Sequence, residues 1–181
     1  MSKKVLVISS SPRKGGNSDI LTDEFIKGAT ESGGNKVEKV FLKDKNINYC
    51  TGCGFCVTNN YTACSQKDDM SELLEKMVEF DVIVMATPIY FYTMCAQMKT
   101  FIDRCCARYT HIKNKEFYFI MTSADGRRDA QLRTLEGFKG FLACLDGAVE
   151  KGTIYGVGLW HKDEVKSTDY MSEAYKMGKS V

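Results

Sequence analysis

Five short apolar runs, Val5–Ser9, Val37–Leu42, Val82–Thr87, Phe117–Ser123 and Gly152–Leu159, set the frame of this chain. Several are nearly continuous in Val, Ile, Met and aromatic residues, the pattern of strands buried on both faces of a parallel sheet. The segments between them have helical periodicity. After the third run, Met94, Met98, Phe101, Ile102, Cys105 and Tyr109 share one face, while Lys99, Asp103, Arg104 and Arg108 fall away from it. Asn17 or Ser18 ahead of Asp19 caps a helix through Ala29, Asp69 or Ser71 caps one running to about Phe80, and Thr168 with Asp169 opens another. This alternation predicts an α/β fold: a doubly wound five-stranded parallel sheet with helices on both faces, in the common strand order 2-1-3-4-5. With 181 residues, 44% of them hydrophobic, there is material for one well-filled core, so 1–181 is read as a single domain.

Such a sheet binds ligands beyond the carboxyl ends of its strands, where the strand order reverses. The loop after the first run reads Ser9-Ser10-Ser11-Pro12-Arg13-Lys14-Gly15-Gly16-Asn17-Ser18 and then opens a helix. Its hydroxyls, guanidinium and amide, set before a helix N-terminus, offer many donors to a phosphate dianion. It matches neither the dinucleotide G-x-G-x-x-G pattern nor the G-x-x-x-x-G-K-[ST] pattern, which favours a terminal monophosphate over a pyrophosphate. An ordinary polar turn with a cap is the alternative reading. Thr87-Pro88-Ile89-Tyr90-Phe91-Tyr92-Thr93, after the third run, faces that loop across the switch point and offers backbone groups and aromatic surface to a flat ring; core or an oligomer interface would use the same aromatics. Thr122-Ser123-Ala124-Asp125-Gly126 closes the same crevice.

Four of the eight cysteines, Cys50, Cys53, Cys56 and Cys64, lie in a loop at about 48–67. The C-x2-C-x2-C run lets a tight loop present three thiolates to neighbouring irons of one cluster, with Cys64 as the fourth corner. A zinc ion, or free thiols, are the other two readings of the same four residues. Cys95, Cys105, Cys106 and Cys144 read as small buried apolar residues of helices, and His111 and His161 as surface residues. Asp68 and Asp69 stand directly before a helix, where carboxylates complement its dipole.

A formal net charge of +2, with 25 basic and 23 acidic residues interspersed, gives no footprint for nucleic acid or an anionic membrane. No stretch approaches the roughly 18 apolar residues of a membrane span, and no export signal is visible, so a cytoplasmic protein with reduced thiols is expected.

The strings S-S-P-R-K-G-G-N-S and T-P-I-Y-F-Y-T-M-C-A-Q-M-K-T-F-I-D-R resemble the NADPH-dependent FMN reductase family of the flavodoxin-like superfamily. The intervening cysteine loop resembles its iron-sulfur flavoprotein branch. That resemblance implies flavin mononucleotide (FMN), with its phosphate at Ser11, Arg13, Asn17 and Ser18. It places the isoalloxazine against Thr87, Pro88, Ile89, Tyr90 and Phe91 and against Ser123, Ala124, Asp125 and Gly126. Hydride from NAD(P)H would reach a small-molecule or protein acceptor through FMN, usually in a homodimer or dimer of dimers. The branch implies instead a [4Fe-4S] cluster on Cys50, Cys53, Cys56 and Cys64 serving a ferredoxin-like partner. A non-catalytic electron carrier is a third possibility. Ser10 stands where the family often has glycine, and Tyr92 and Met94 where many relatives are small.

Overall fold

Val5, Leu6, Val7 and Ile8 are all fully buried and enter two different apolar clusters in alternation, so the segment they occupy is a central strand. The computed structural model describes residues 2–181. Its strands are β1 (Lys4–Ser9), β2 (Lys36–Phe41), β3 (Val82–Tyr90), β4 (Thr93–Met94), β5 (Glu116–Thr122) and β6 (Val149–Gly156). Five of them pair parallel in the order β2-β1-β3-β5-β6. Counting parallel strands alone, this is the expected order, and the switch point falls between β1 and β3.

The helices are α1 (Asn17–Glu31), α2 (Phe55–Thr58), α3 (Met70–Glu79), α4 (Ala96–Arg104), α5 (Leu132–Leu142) and α6 (Tyr170–Lys179). Met77 of α3, Phe101 of α4 and Phe138 of α5 bury one face of the sheet with Ile83, Met85 and Phe119. The Phe138 ring stacks on Phe119 with centroids 4.5 Å apart. On the other face Leu21 and Phe25 of α1 and Ala174 of α6 cover Val5, Val7, Val84 and Ile120. α1 and α6 meet at two glycines: a Cβ on Gly28 would lie 2.1 Å from the Tyr175 carbonyl oxygen, and one on Gly178 would lie 2.1 Å from that of Phe25. Only residues without side chains allow the two backbones that close.

The departures from expectation are local. β3 runs on to Tyr90, three residues past the expected end, because Phe91 and Tyr92 adopt φ of 50° and 65° and turn the chain back into β4. Two consecutive left-handed residues are what a two-residue hairpin favours. Pro88 is tolerated inside β3 because β1 stops opposite Ala86, leaving β5 as the only parallel neighbour there. Met94, expected on the helix, therefore sits in β4, and α4 begins at Ala96. β6 starts earlier and stops at Gly156, so the expected strand end at Leu159 is a turn.

Candidate functional site

At the carboxyl ends of β1, β3, β5 and β6 lies a cleft of about 990 Å³. One wall is the loop from β1 into α1. Ser11 Oγ accepts the Arg13 N–H at 3.2 Å and donates to the Arg13 carbonyl at 2.9 Å, folding the loop on itself, and Gly15 takes the left-handed φ of 66°. Gly16 holds the N-cap position, and no side chain caps α1. The orphan N–H groups of the first helical turn are thus free for an anion, and Ser11, Arg13, Gly16, Asn17 and Ser18 all line the cleft. A side chain at 16 would be tight: its Cβ would lie 3.1 Å from both the Arg13 carbonyl oxygen and Ser11 Oγ, so the loop would have to give by a few tenths of an ångström. The carboxylate of Asp19 does not oppose an anion unaided, since Lys39 Nζ lies 2.5 Å from it and Gly15 N–H donates to it at 2.7 Å.

Asn17 has a second task that its position in the loop did not reveal. Its Nδ2 donates to the His161 carbonyl at 2.7 Å, and its Oδ1 accepts the Val165 N–H at 3.3 Å, so it fastens the turn after β6 to the β1–α1 loop. That turn carries Leu159 and Trp160 into the cleft lining, Trp160 being 69% exposed, and neither was expected there. The carboxyl-end rule applied to the fifth parallel strand would have found them.

The opposite wall is the β3–β4 hairpin. Pro88, Ile89, Tyr90 and Phe91 line the cleft as expected, together with Tyr92. Phe91 is 98% exposed. Thr87 is different: it is fully buried, still paired in β3 with Met121, and absent from the lining. Its hydroxyl donates to the Pro88 carbonyl at 2.9 Å and accepts the Cys95 N–H at 3.2 Å, while Cys95 Sγ reaches Ser10 Oγ at 3.1 Å. Thr87 positions the hairpin from beneath because β3 extends past it.

Ser123, Ala124 and Asp125 close a third side, whereas Gly126 stands outside the lining. Buried Gln131 braces this loop through Nε2, which donates to Ser123 Oγ at 2.8 Å and the Gly156 carbonyl at 3.0 Å. Arg127 forks onto Asp125, with Nε at 3.1 Å from Oδ1 and an NH2 nitrogen at 2.8 Å from Oδ2. The guanidinium, helped by the Arg127 backbone N–H, pulls the Asp125 carboxyl down to about 2.

The cysteine loop packs against the end of α4 instead of forming a thiolate cage. Among the described residues no three His, Cys, Asp or Glu side chains are arranged to hold a metal ion. Cys53 Sγ lies 3.3 Å from Ser65 Oγ, Cys64 Sγ is 3.6 Å from an Arg104 nitrogen, and Cys56 Sγ is 3.8 Å from Cys106 Sγ. The Ser65 hydroxyl and then the Phe55 N–H hold the Cys53 thiol below its ordinary range. The donor set, four thiols on one short loop, is of the kind a four-thiolate cluster takes, and Cys50, Cys56 and Cys64 all lie near enough to Cys106 to add to desolvation in raising its thiol, but the four are not drawn into one cage. Cys106 is exposed, not the buried filler expected, because α4 ends at Arg104 and Cys106 sits in the turn that follows; Cys144, beyond the end of α5, is exposed too. Cys95 and Cys105 are buried as expected.

Arg104, expected on the outward face of α4, is instead buried beneath this loop. It donates to the Asn48 carbonyl at 2.6 Å and to both oxygens of Asp68. Asp68 also accepts the N–H of Met70 at 3.2 Å, at the start of α3, and Asp69 accepts that of Asn46 at 2.7 Å, so the acidic pair ties the incoming chain to the helix.

Residues 3–160 match the family described as NADPH-dependent FMN reductase. An iron-sulfur flavoprotein of Archaeoglobus fulgidus is 46% identical over 101 residues, 56% of this chain and 44% of that protein. One from Methanocaldococcus jannaschii is 28% identical over 170 residues, 90% of this chain and 84% of that protein. The matched segment spans 44% to 59% of the length of four such archaeal relatives. The fold is shared with an NAD(P)H:quinone oxidoreductase from Methanothermobacter marburgensis, at a TM-score of 0.79 and 14% identity over 99% of this chain and 96% of that one. It is shared also with an azoreductase from Bacillus anthracis, at 0.74 and 18%, covering 100% of both chains. The cradle at the uncapped α1 N-terminus, the aromatic hairpin facing it and the match over most of the sequence lead to one assignment: the chain belongs to the NADPH-dependent FMN reductase family.

Proposed function

We propose that this protein is an FMN-dependent oxidoreductase taking hydride from NADH or NADPH and passing electrons to a small-molecule or protein acceptor. The observation that carries the reading is the uncapped N-terminus of α1 opening into a cleft whose far wall is an exposed aromatic hairpin. FMN fits this arrangement, with a phosphate at Arg13 and the first-turn N–H groups and a flat ring along Pro88–Phe91 and Ser123–Asp125. When bound, the flavin supplies the hydride-accepting ring, and the protein supplies position and electrostatics. Arg13 would neutralise a bound phosphate, Asn17 locks the β1–α1 loop to the turn after β6, and the Arg127–Asp125 pair would present a compensated charge to the ring. No side chain is required as an acid or base, since hydride transfer needs alignment of two rings, for which Tyr90, Phe91, Tyr92 and Trp160 would supply the aromatic walls. A homodimer or dimer of dimers closing over the cleft mouth completes the reading, supported by the exposed rings of Phe91 and Trp160.

The second reading, one-electron exchange with a ferredoxin-like protein through a [4Fe-4S] cluster, has the cysteine spacing and the archaeal relatives' names in its favour and the thiol positions against it. No step is drawn through it.

Titration of the purified chain with FMN and with riboflavin tests the proposal. FMN is expected to bind and to be bleached by NADH or NADPH without oxygen. Arg13→Ala is expected to weaken FMN by roughly 10- to 100-fold, the loss of one charge-assisted contact worth about 1.5–3 kcal/mol, and to leave riboflavin unchanged. Failure to take up FMN, or bound FMN indifferent to both nicotinamides, overturns it. Stoichiometric iron and sulfide in anaerobically purified protein moves the assignment to the second reading.

A further inference from the structure

The turn after β6 is bound to two other walls of the cleft. Gly158 N–H donates to the Asp125 carbonyl at 3.1 Å and Leu159 N–H to the Ser123 carbonyl at 2.8 Å, while Asn17 grips the His161 carbonyl. Gly158 and Asp163 take left-handed φ of 71° and 72°, bending the chain on either side of Trp160 and Lys162. Held in this way, the turn lays the end of the Lys162 side chain against the β1–α1 loop: a Cβ on Gly15 would lie 3.2 Å from Lys162 Cε and 3.3 Å from its Nζ. The bare backbone at 15 leaves room for the ammonium group.

Neither that ammonium nor the Arg13 guanidinium has a carboxylate partner among the described residues. Asp163 is taken by Lys166 at 2.7 Å, and Glu164 accepts the His161 N–H at 2.8 Å. Lys14 is neutralised by Asp44 at 2.9 Å, and Asp19 by Lys39 at 2.5 Å. The charges left uncommitted beside the uncapped start of α1 are therefore Arg13 within the loop and Lys162 over it, both positive. Two such cations at a helix N-terminus favour an anion carrying more than one charge.

We infer that Lys162 is a specificity-determining residue of the cleft: with Arg13 it recognises the terminal phosphate dianion of FMN, so the turn after β6 also distinguishes the phosphorylated flavin from the bare one. This rests on the flavin reading given above. Gly15 stands two positions ahead of Asn17, so the first-turn N–H groups of α1 lie within the sweep of a four-carbon stem anchored at 162. Trp160 on the same turn lines the cleft, and one short segment thus offers a ring surface to the flat part of the ligand and a charge to its tail. Lys162 is exposed, so its contribution is screened by salt.

The test is equilibrium titration of the unaltered chain, Lys162→Met, Lys162→Arg and Lys139→Met with FMN and with riboflavin at low and high potassium chloride. Binding is read from the fluorescence of Trp160, the single tryptophan. Methionine keeps the stem and removes the charge, and Lys139, exposed on α5 and outside the cleft lining, controls for net charge. Lys162→Met is expected to weaken FMN by roughly 3- to 10-fold at low salt, to flatten its salt dependence and to leave riboflavin unchanged. Lys162→Arg is expected to restore most of the FMN affinity, and Lys139→Met to bind both flavins as the unaltered chain does. The inference is overturned, with the flavin reading intact, if Lys162→Met binds FMN as tightly as the unaltered chain, loses FMN and riboflavin equally, or is matched by Lys139→Met. An unaltered chain that binds neither flavin overturns both.

Discussion

Arg104 holds Asp68 with two parallel hydrogen bonds of 2.7 and 2.9 Å, and the two side chains are only 1% and 2% exposed. This fork joins the end of α4 to the residues ahead of α3, and the cysteine loop between them folds over it. Burial works against the Asp68 carboxylate, but the guanidinium and the N–H groups of Asn48 and Met70 outweigh it and hold the carboxyl below its ordinary range.

Removing one partner leaves a buried charge uncompensated. Arg104→Met is expected to lower stability by about 3–5 kcal/mol in urea denaturation, and the Arg104→Met/Asp68→Leu double variant to recover a substantial part. A double variant as unstable as the sum of the singles would mean that the pair is not coupled.

The same fork sets a pH dependence. The folded Asp68 ionises below its unfolded value near 3.8, so its contribution is complete above that pH and is lost as pH falls through the lowered folded value. Comparing the unaltered chain with Asp68→Asn from pH 7 down to pH 3, the stability difference is expected to be level to about pH 4 and then to shrink. A difference that grows on acidification contradicts this.

The α1–α6 crossing predicts opposite signs for glycine substitutions. Gly28→Ala and Gly178→Ala each drive a Cβ to 2.1 Å from a carbonyl oxygen and are expected to cost roughly 1–3 kcal/mol or more through forced backbone separation. Gly140→Ala, on α5 with nothing within 4 Å of the added carbon, is expected to stabilise by about 0.4–1 kcal/mol. Thermal melts of the three variants side by side check both signs.

Phe91 is held in the left-handed region with its ring in solvent, a combination that costs about 1–2 kcal/mol of conformational energy for a residue of this type. Phe91→Asn is expected to raise the melting temperature of the flavin-free chain by a few degrees, since Asn visits that region more readily. On the oxidoreductase reading it also weakens turnover, because the ring is lost from the cleft wall. An unchanged melting temperature would show the hairpin to be unstrained at this position.

The sheet order, the helices on both faces and three of the cleft's walls were legible because they follow from local pattern: two-sided apolar runs, helical spacing, and loops at strand ends. Residues defined by distant partners were not. Arg104 has the spacing of a solvated residue and is buried only because the 46–68 segment folds across it. Thr87 has the sequence position of cleft surface, but β3 runs on past it, which depends on Phe91 and Tyr92 taking a backbone conformation their side chains disfavour. Cys106 read as filler because its neighbour Cys56 lies 50 residues away. Asn17 was placed at the anion site by its loop, but its bonds to His161 and Val165 join it to a turn more than a hundred positions later.

That last tie orders events during synthesis. A chain that has delivered β1 and α1 already displays every residue of the loop between them, yet Asn17 cannot hold that loop against the Trp160 turn until residues 161–165 have emerged and docked. A fragment ending before residue 161 would therefore carry the whole β1–α1 loop without the tie that holds it to the Trp160 turn.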